Sequence, residues 1–139
     1  MVTINAYLTF NGNCEEAFNH YKSVFGGEFK QISRFKDMPT MPGQVFPEEA
    51  MNKIMHISLP ISKETILMGS DANPFMGKVN IGQHLSLTVS TDSKDEADKI
   101  FKSLSAGGEI TMPIEETFWG SYFGMLIDKF GFIWMVEFT

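Results

Sequence analysis

The sequence has little cysteine and no long apolar run. Cys14 is the one cysteine in 139 residues, so the chain cannot form an internal disulfide, and a lone thiol fits a reducing compartment. We interpret it as a small residue at a helix start, with a reactive thiol as the alternative. No stretch approaches the roughly 20 apolar residues that a membrane helix needs. The N-terminus MVTINAYLTF lacks a basic start followed by an apolar segment, so we expect no signal peptide and a cytoplasmic protein.

Basic residues are also scarce. The chain has 11 Lys and Arg against 17 Asp and Glu, which gives a net charge of −6. No basic stripe alternates with aromatic residues, so we expect neither a nucleic-acid partner nor a membrane partner. The 43% of hydrophobic residues and the 20% of charged residues are typical of a chain that builds a core.

What the chain does have is an internal repeat. The stretch YKSVFGGEF at 21–29 returns as FKSLSAGGEI at 101–110. Glu15-Glu16-Ala17 returns as Asp95-Glu96-Ala97, at an offset of 80 (97 − 17). A constant offset predicts two copies of one structural unit. We expect a first module over 1–78 and a second over 79–139, which together make one structural domain.

The two halves show the same order of secondary structure. Asn13 is expected to cap a first helix that ends at Gly26-Gly27, and Asp92 or Ser93 a second helix that runs to Leu104. β-rich segments predict eight strands, over 3–10, 28–35, 53–60, 64–71, 84–91, about 109–113, 121–127 and 132–138. The order is βαβββ twice. We therefore expect an α+β fold, an open, cleft-bearing mixed β-sheet barrel covered by helices.

A long segment without periodicity interrupts the first half, from Lys36 to Met51. Three prolines stiffen it, and Met38, Met41, Val45 and Phe46 give it apolar side chains that a solvated loop does not need. We hypothesise that this loop folds over a cleft, either that of its own chain or that of a partner chain.

The repeated order, with both helices ending at Gly-Gly, resembles the vicinal oxygen chelate superfamily of glyoxalases, bleomycin-resistance proteins and extradiol dioxygenases. The closer resemblance is to its PhnB-like branch. It rests on AYLTFNGNCEEAFNHYKSVFGGEF, on ILMGSD, and on the segment from HLSLTVST to GFIWMV. Some relatives are called demethylubiquinone methyltransferases, but the chain lacks the glycine-rich loop that we expect at a methyl-donor site.

The resemblance implies positions for a divalent metal on the first and last strand of each module. They fall on Asn5, Met68, His84 and Met135. A thioether is a poor ligand for a hard cation, so we expect no metal and no cofactor. A shifted site that uses His84 with Glu137, and with His56, is the alternative. Otherwise His84 contacts a ligand or water, His56 is a half-exposed strand residue, and Glu137 is either a pocket group or a solvated carboxylate.

Aromatic residues complete the set of candidate cleft residues. Tyr7, Trp119 and Tyr122 are expected to line the cleft, although Trp119 could equally anchor a subunit contact. Trp134 alternates with Met135 and is expected to pack under a helix. The full set of candidates is Asn5, Tyr7, His56, Met68, His84, Trp119, Tyr122, Met135 and Glu137.

Two functions are compatible with this sequence. The first is a PhnB-like protein that binds a small organic ligand in a metal-free cleft. The second is an enzyme: a metal-dependent lyase, isomerase or dioxygenase, or a metal-free one that uses His84 as a base. The resemblance names no single reaction, and the methionines at two ligand positions favour binding. Relatives of this kind pair two chains, which also removes open sheet edges, so we expect a homodimer.

Overall fold

The computed structural model describes residues 2–39, 45–75 and 77–139. The chain divides into two compact units, which we call module 1 (up to Val79) and module 2 (Asn80–Thr139). Met41, which we assigned to the loop over the cleft, lies outside the described residues.

Module 1 is one four-stranded sheet with one helix. The strand order is β1-β4-β3-β2, with β1 parallel to β4 and the other pairs antiparallel. Helix α1 packs on β3 and β4. Its elements are β1 (Tyr7–Phe10), α1 (Cys14–Phe25), β2 (Gln31–Arg34), β3 (Ile54–Pro60) and β4 (Ile66–Asp71).

Module 2 has the same topology. Its strand order is β5-β8-β7-β6, again with a parallel pair, β5 with β8, and antiparallel neighbours. Its elements are β5 (Ser86–Ser90), α2 (Lys94–Ser105), β6 (Glu109–Glu116), β7 (Tyr122–Ile127) and β8 (Ile133–Phe138). The predicted βαβββ order is therefore confirmed in both halves. In the described ranges, neither helix has the length and apolar character needed to cross a membrane.

The helices confirm the repeat at the level of single residues. Both α1 and α2 contain 12 residues, and they begin 80 positions apart (94 − 14). Each helix buries one apolar side on its sheet: Ala17, Phe18 and Tyr21 in α1, and Ala97, Phe101 and Leu104 in α2. Each sheet therefore has a helix side, which carries the module's core, and an opposite side, which we call the open side.

The two helix starts differ in how they are capped. Of the two predicted caps of α2, Asp92 and Ser93, the structure selects Ser93, because its side chain accepts a hydrogen bond from Glu96 N. Asn13 occupies the corresponding position of α1, but its side chain makes no capping hydrogen bond. Asp71, at the end of β4, takes over instead and accepts hydrogen bonds from Gly12 N and Cys14 N, each at 3.0 Å.

Several strand bounds differ from the prediction. β1 begins at Tyr7 rather than at residue 3, since the side chain of Asn5, not its backbone, accepts the hydrogen bond from Ile66 N. β2 ends at Arg34, where a short 3₁₀ turn (Phe35–Asp37) begins. β6 extends to Glu116 because its bulges keep it paired with β7.

Candidate functional site

Three of the predicted cleft residues come together on the open side of module 1. Tyr7 is the register partner of Met68, and its ring centroid lies 5.8 Å from that of His56. Tyr7 is 46% exposed, and the other two are half-buried. Within the described residues, neither the Tyr7 hydroxyl nor the His56 imidazole makes a hydrogen bond, so both are available to a ligand.

Hydroxyl groups continue this surface along the strands. Thr9 pairs with Ser70, and His56 pairs with Ser33, so the row next to Tyr7 is polar. A cavity of about 250 Å³ opens beside Thr9 and Ser70 and is walled by Phe35, Met38, Met55 and Asp71–Asn73.

A larger cavity of about 490 Å³ lies beyond this wall. It shares Phe35 and residues 71–73 with the smaller cavity. Its other walls come from the β1–α1 turn (Asn11, Gly12), from the loop and the residues after it (Pro47, Glu49, Ala50, Lys53), and from Pro74, Gly77 and Lys78. Three segments that are distant in sequence thus border one open cavity in module 1.

The described part of the loop between β2 and β3 packs onto its own module. Phe46 is buried, with its ring centroid 5.3 Å from that of Phe35 and 5.4 Å from that of Phe75. Val45, by contrast, is exposed. One of the apolar side chains that we singled out is therefore an anchor that holds the loop against the cavity.

The charged side chains around the larger cavity are two lysines, Lys53 and Lys78, and two carboxylates, Glu49 and Asp71. Asp71 is buried, and its two carboxylate oxygens accept three backbone N–H bonds, from Gly12, Cys14 and Ile54. Lys53 Nζ donates to Gly12 O at 2.9 Å, and Lys78 makes no ion pair within the described ranges. Because the Asp71 carboxylate is taken up by these three bonds, Lys53, Lys78 and Glu49 are the charged side chains that remain for a ligand.

Cys14 is a structural residue. It is fully buried at the start of α1. Burial raises the pKa of its thiol, and the neighbouring Asp71 carboxylate raises that pKa further. A neutral, inaccessible thiol is a poor nucleophile, which supports the interpretation as a small helix-start residue.

Module 2 places two further candidates on its open side. Met135 pairs with Thr88 and Glu137 with Ser90, and Glu137 Oε1 accepts a hydrogen bond from Ser90 Oγ at 3.0 Å. Trp119 is 52% exposed, and its ring lies 5.7 Å from that of Phe123, the register partner of Glu137.

Tyr122 is a correction. It pairs with Phe138, one position away from the pair of Phe123 and Glu137, and therefore lies on the helix side of the sheet. Its hydroxyl donates to Asp98 on α2, and this hydrogen bond raises the pKa of the phenol. Trp134, on that same side, is buried as predicted, and its Nε1 donates to Asp128.

The remaining candidates are spread along the chain. Asn5 uses its side-chain oxygen to hold Ile66 N, as described above. His84 is exposed and precedes β5. Because Ser86 pairs with Ile133, the end of β8 that carries Glu137 lies roughly 20 Å along the strand direction from His84, at about 3.3 Å per residue.

These residues do not fit the divalent metal that the superfamily resemblance implies. Met68 and Met135 offer thioethers where a hard cation needs oxygen or imidazole ligands. Across the described ranges, no group of three or more His, Cys, Asp and Glu side chains is placed to hold a metal ion. We therefore derive no chemistry through a divalent metal.

No sequence pattern singled out the residues that line the larger cavity. Among its polar side chains are Lys53, Asp71, Asn73 and Lys78. Asp71 was visible only as the last residue of a strand, and Lys78 as part of a connection. The apolar side chains in the loop were the one sequence signal that pointed towards this space.

Comparison with known proteins places the chain in a family. Residues 2–137 match the model of the 3-demethylubiquinone-9 3-methyltransferase family. The chain belongs to this family. It is the PhnB-like family of the sequence analysis, so the predicted resemblance is confirmed.

Two relatives of this PhnB-like chain support the assignment over nearly its full length. Protein YjdN of Escherichia coli is 34% identical over 143 aligned positions, which cover 96% of this chain and 93% of YjdN. The crystal structure of protein PA1353 from Pseudomonas aeruginosa is 38% identical, covers 99% of this chain and 98% of that one, and has a TM-score of 0.86.

More distant structures share the fold. A PhnB protein from Bacillus cereus, described as a 3-demethylubiquinone-9 3-methyltransferase, is 27% identical, covers 99% of this chain and all (100%) of that one, and has a TM-score of 0.78. The fosfomycin resistance protein FosX from Listeria monocytogenes, crystallised with Mn(II) and sulfate, is 10% identical with a TM-score of 0.65, and covers 100% of this chain and 94% of that one. At this identity the likeness shows the glyoxalase-type fold alone.

Proposed function

We propose that this PhnB-like protein binds a small organic anion in the two adjoining cavities of module 1. The observation that carries the proposal is that the loop, the β1–α1 turn and the segment after β4 border one open cavity, with Lys53 and Lys78 in its wall. Most of the other wall residues are apolar, among them Phe35, Pro47 and Ala50. A ligand with an apolar body and one negative group matches both features.

The open side of module 1 extends this site. Thr9 and Ser70 wall the smaller cavity and lie in the strand row next to Tyr7 and Met68. The phenol and the His56 imidazole lack protein hydrogen bonds among the described residues, so they can orient polar groups of the same ligand. In this proposal the protein binds its ligand without a metal.

Methyl transfer, which the family description names, is not the function that this geometry supports. The β1–α1 turn has a single glycine, Gly12, where a nucleotide-type site has a glycine-rich loop. The N–H groups of Gly12 and Cys14 at the start of α1 are already bonded to Asp71. A phosphate or carboxylate of a cofactor would have to displace this buried carboxylate.

The binding proposal is tested with an aromatic sulfonate, 8-anilinonaphthalene-1-sulfonate, followed by fluorescence at low salt. We expect Lys78→Gln to weaken binding about tenfold, since a close charge pair in a partly desolvated site contributes on the order of 1–2 kcal/mol. Lys99→Gln on α2 is the matched control, because it removes the same charge from module 2. Equal affinity of Lys78→Gln and the parent protein contradicts the proposal.

We also propose that the protein is a cytoplasmic homodimer. Within each module the outer strands have one unpaired edge, and Ile32 on β2 is 44% exposed. Pairing of two copies would cover such edges and apolar side chains. A buried, reduced Cys14 is compatible with the cytoplasm. Light scattering at micromolar concentration tests the dimer, and a monomer mass contradicts it.

A further inference from the structure

The open side of module 2 carries a row of thioethers. Met112 on β6 pairs with Met125 on β7, and Met125 pairs with Met135 on β8. Thr88 on β5 completes the row. All three methionines are half-buried, so their sulfur atoms lie near the surface without being fully solvated.

The spacing of the strands allows these sulfur atoms to meet. Neighbouring strands lie about 4.8 Å apart. Met125 and Met135 are regular register partners, with Cβ atoms roughly 5 Å apart, and Met112 lies between two bulges of β6, opposite Met125. A methionine side chain has three rotatable bonds, so the two outer thioethers can turn towards the central one. The Thr88 hydroxyl donates a hydrogen bond to Met135 Sδ at 3.7 Å, which shows that this sulfur already lies above the sheet and acts as an acceptor.

The row is not a consequence of the fold. The corresponding row of module 1 reads Gln31, Ser58, Met68 and Tyr7, with one methionine among four strands. The adjoining row of module 2 contains the carboxylate of Glu137, two residues from Met135 on the same side of β8. A neutral set of soft donors beside one negative charge favours a soft monovalent cation over an anion or a hard divalent cation.

We propose that Met112, Met125 and Met135 form a binding site for Cu(I). Thioethers stay neutral at every pH and are soft ligands, which select Cu(I) among biological cations. On binding, the Met135 sulfur exchanges its hydrogen bond with Thr88 for a bond to the metal. Glu137 offsets the charge of the ion without binding it. The site is independent of the anion site proposed for module 1.

The test is an anaerobic titration with Cu(I) in competition with bicinchoninate, repeated with Ag(I). All variants carry Cys14→Ala, so that no thiol competes. We expect about one ion per chain in this background. Met125→Leu keeps the size and apolar character of the side chain but removes the central ligand, so binding weakens at least about tenfold. Met51→Leu, a half-buried methionine of module 1, is the matched control and leaves the affinity unchanged.

A second measurement identifies the ligands. In protein labelled with ¹³C at the methionine methyl groups, Ag(I) should shift the signals of Met112, Met125 and Met135 together, at one ion per chain. Met112→Leu and Met135→Leu repeat the test should Met125→Leu fail to fold. The proposal is overturned if the Cys14→Ala background binds no ion tighter than bicinchoninate does, or if Met125→Leu binds as tightly as that background.

Discussion

Module 1 and module 2 repeat the same strand order, but they hold the start of the helix differently. In module 2 the cap is local: Ser93 accepts from Glu96 N, and the Glu96 side chain accepts from Asp92 N. In module 1 the acceptor is Asp71, which is 57 residues away from Cys14 in sequence. The same carboxylate also accepts from Ile54 N on β3.

The difference shows that one helix is capped by its own sequence and the other by the folded sheet. Module 2 also has a buried aspartate, Asp128, but it accepts from Phe130 N, Phe132 N and Trp134 Nε1, all within six positions. That carboxylate therefore organises a turn. In module 1 the start of α1 depends on β4 being in place, whereas α2 carries its own cap.

Asp71→Ala is the substitution with the largest expected effect on the difference between the two helix starts. It leaves three backbone N–H groups without their acceptor, and we expect a loss of about 3 kcal/mol in the free energy of unfolding. Urea denaturation measures the loss, and hydrogen exchange locates it. The amides of α1 should lose protection while those of α2 keep it. An equal loss of amide protection in α1 and α2 would contradict the assignment of Asp71 as the acceptor that holds the start of α1 alone.

Two glycines test whether the helix sides of the two sheets are packed equally closely. A Cβ at Gly69 would lie 2.7 Å from Leu8 O, and one at Gly124 would lie 2.7 Å from Phe101 Cε1. We expect Gly69→Ala and Gly124→Ala each to lower the free energy of unfolding by about 2 kcal/mol through overpacking. Thermal unfolding measures both. Ser70→Ala, on the open side beside Gly69, is the control and should change little.

A smaller effect separates the two N-cap residues. Ser93→Ala removes a capping hydrogen bond, so we expect a loss of about 1 kcal/mol. Asn13→Ala in the equivalent place removes no capping bond and should stay within about 0.5 kcal/mol of the parent protein. Denaturant midpoints measure both. An equal loss for the two variants would contradict the assignment of the module 1 cap to Asp71.

The smallest expected effect is a pH dependence on α1. The hydrogen bond from Arg34 lowers the pKa of Glu15 below its ordinary value, and the charge of Arg34 adds to this shift. Because the pKa of Glu15 is lower in the folded state than in the unfolded state, its charged carboxylate stabilises the fold at pH values above the unfolded-state pKa. This stabilisation is lost as the pH falls through the folded-state pKa. Glu15 is half-exposed, so the effect is small. Glu15→Gln should flatten the stability of module 1 below pH 5, and Glu96→Gln should not affect that module.

Much of the architecture could be predicted because it is encoded over short distances. The helix bounds follow from apolar spacing and from the Gly-Gly stops, and the structure confirms them to within two residues. The strand bounds are predicted less well: the predicted first strand includes Asn5, but β1 begins only at Tyr7. A strand needs a neighbouring strand to pair with, and the residue at which this pairing begins depends on the neighbour as well as on the strand's own sequence.

The candidate site could be predicted in part. Tyr7, His56 and Met68 share a surface of module 1, whereas Tyr122 lies on the helix side because it alternates with Phe123, whose side chain faces the open side. The Met112–Met125–Met135 row also depends on register, since a bulge at residue 111 brings Met112 opposite Met125.

By itself, the sequence determined the duplicated βαβββ plan, the two helices, a local cap of α2 at Asp92 or Ser93, and the methionines at positions 68 and 135 in place of hard metal ligands. The tertiary structure alone decided the role of Asp71 and the walls of the module 1 cavities. The physical reason is the separation in sequence over which each interaction acts. Helix propensity and local caps act within one or two turns of chain, whereas a buried carboxylate or a cavity takes its partners from segments about 60 residues apart, which meet only when the sheet has formed.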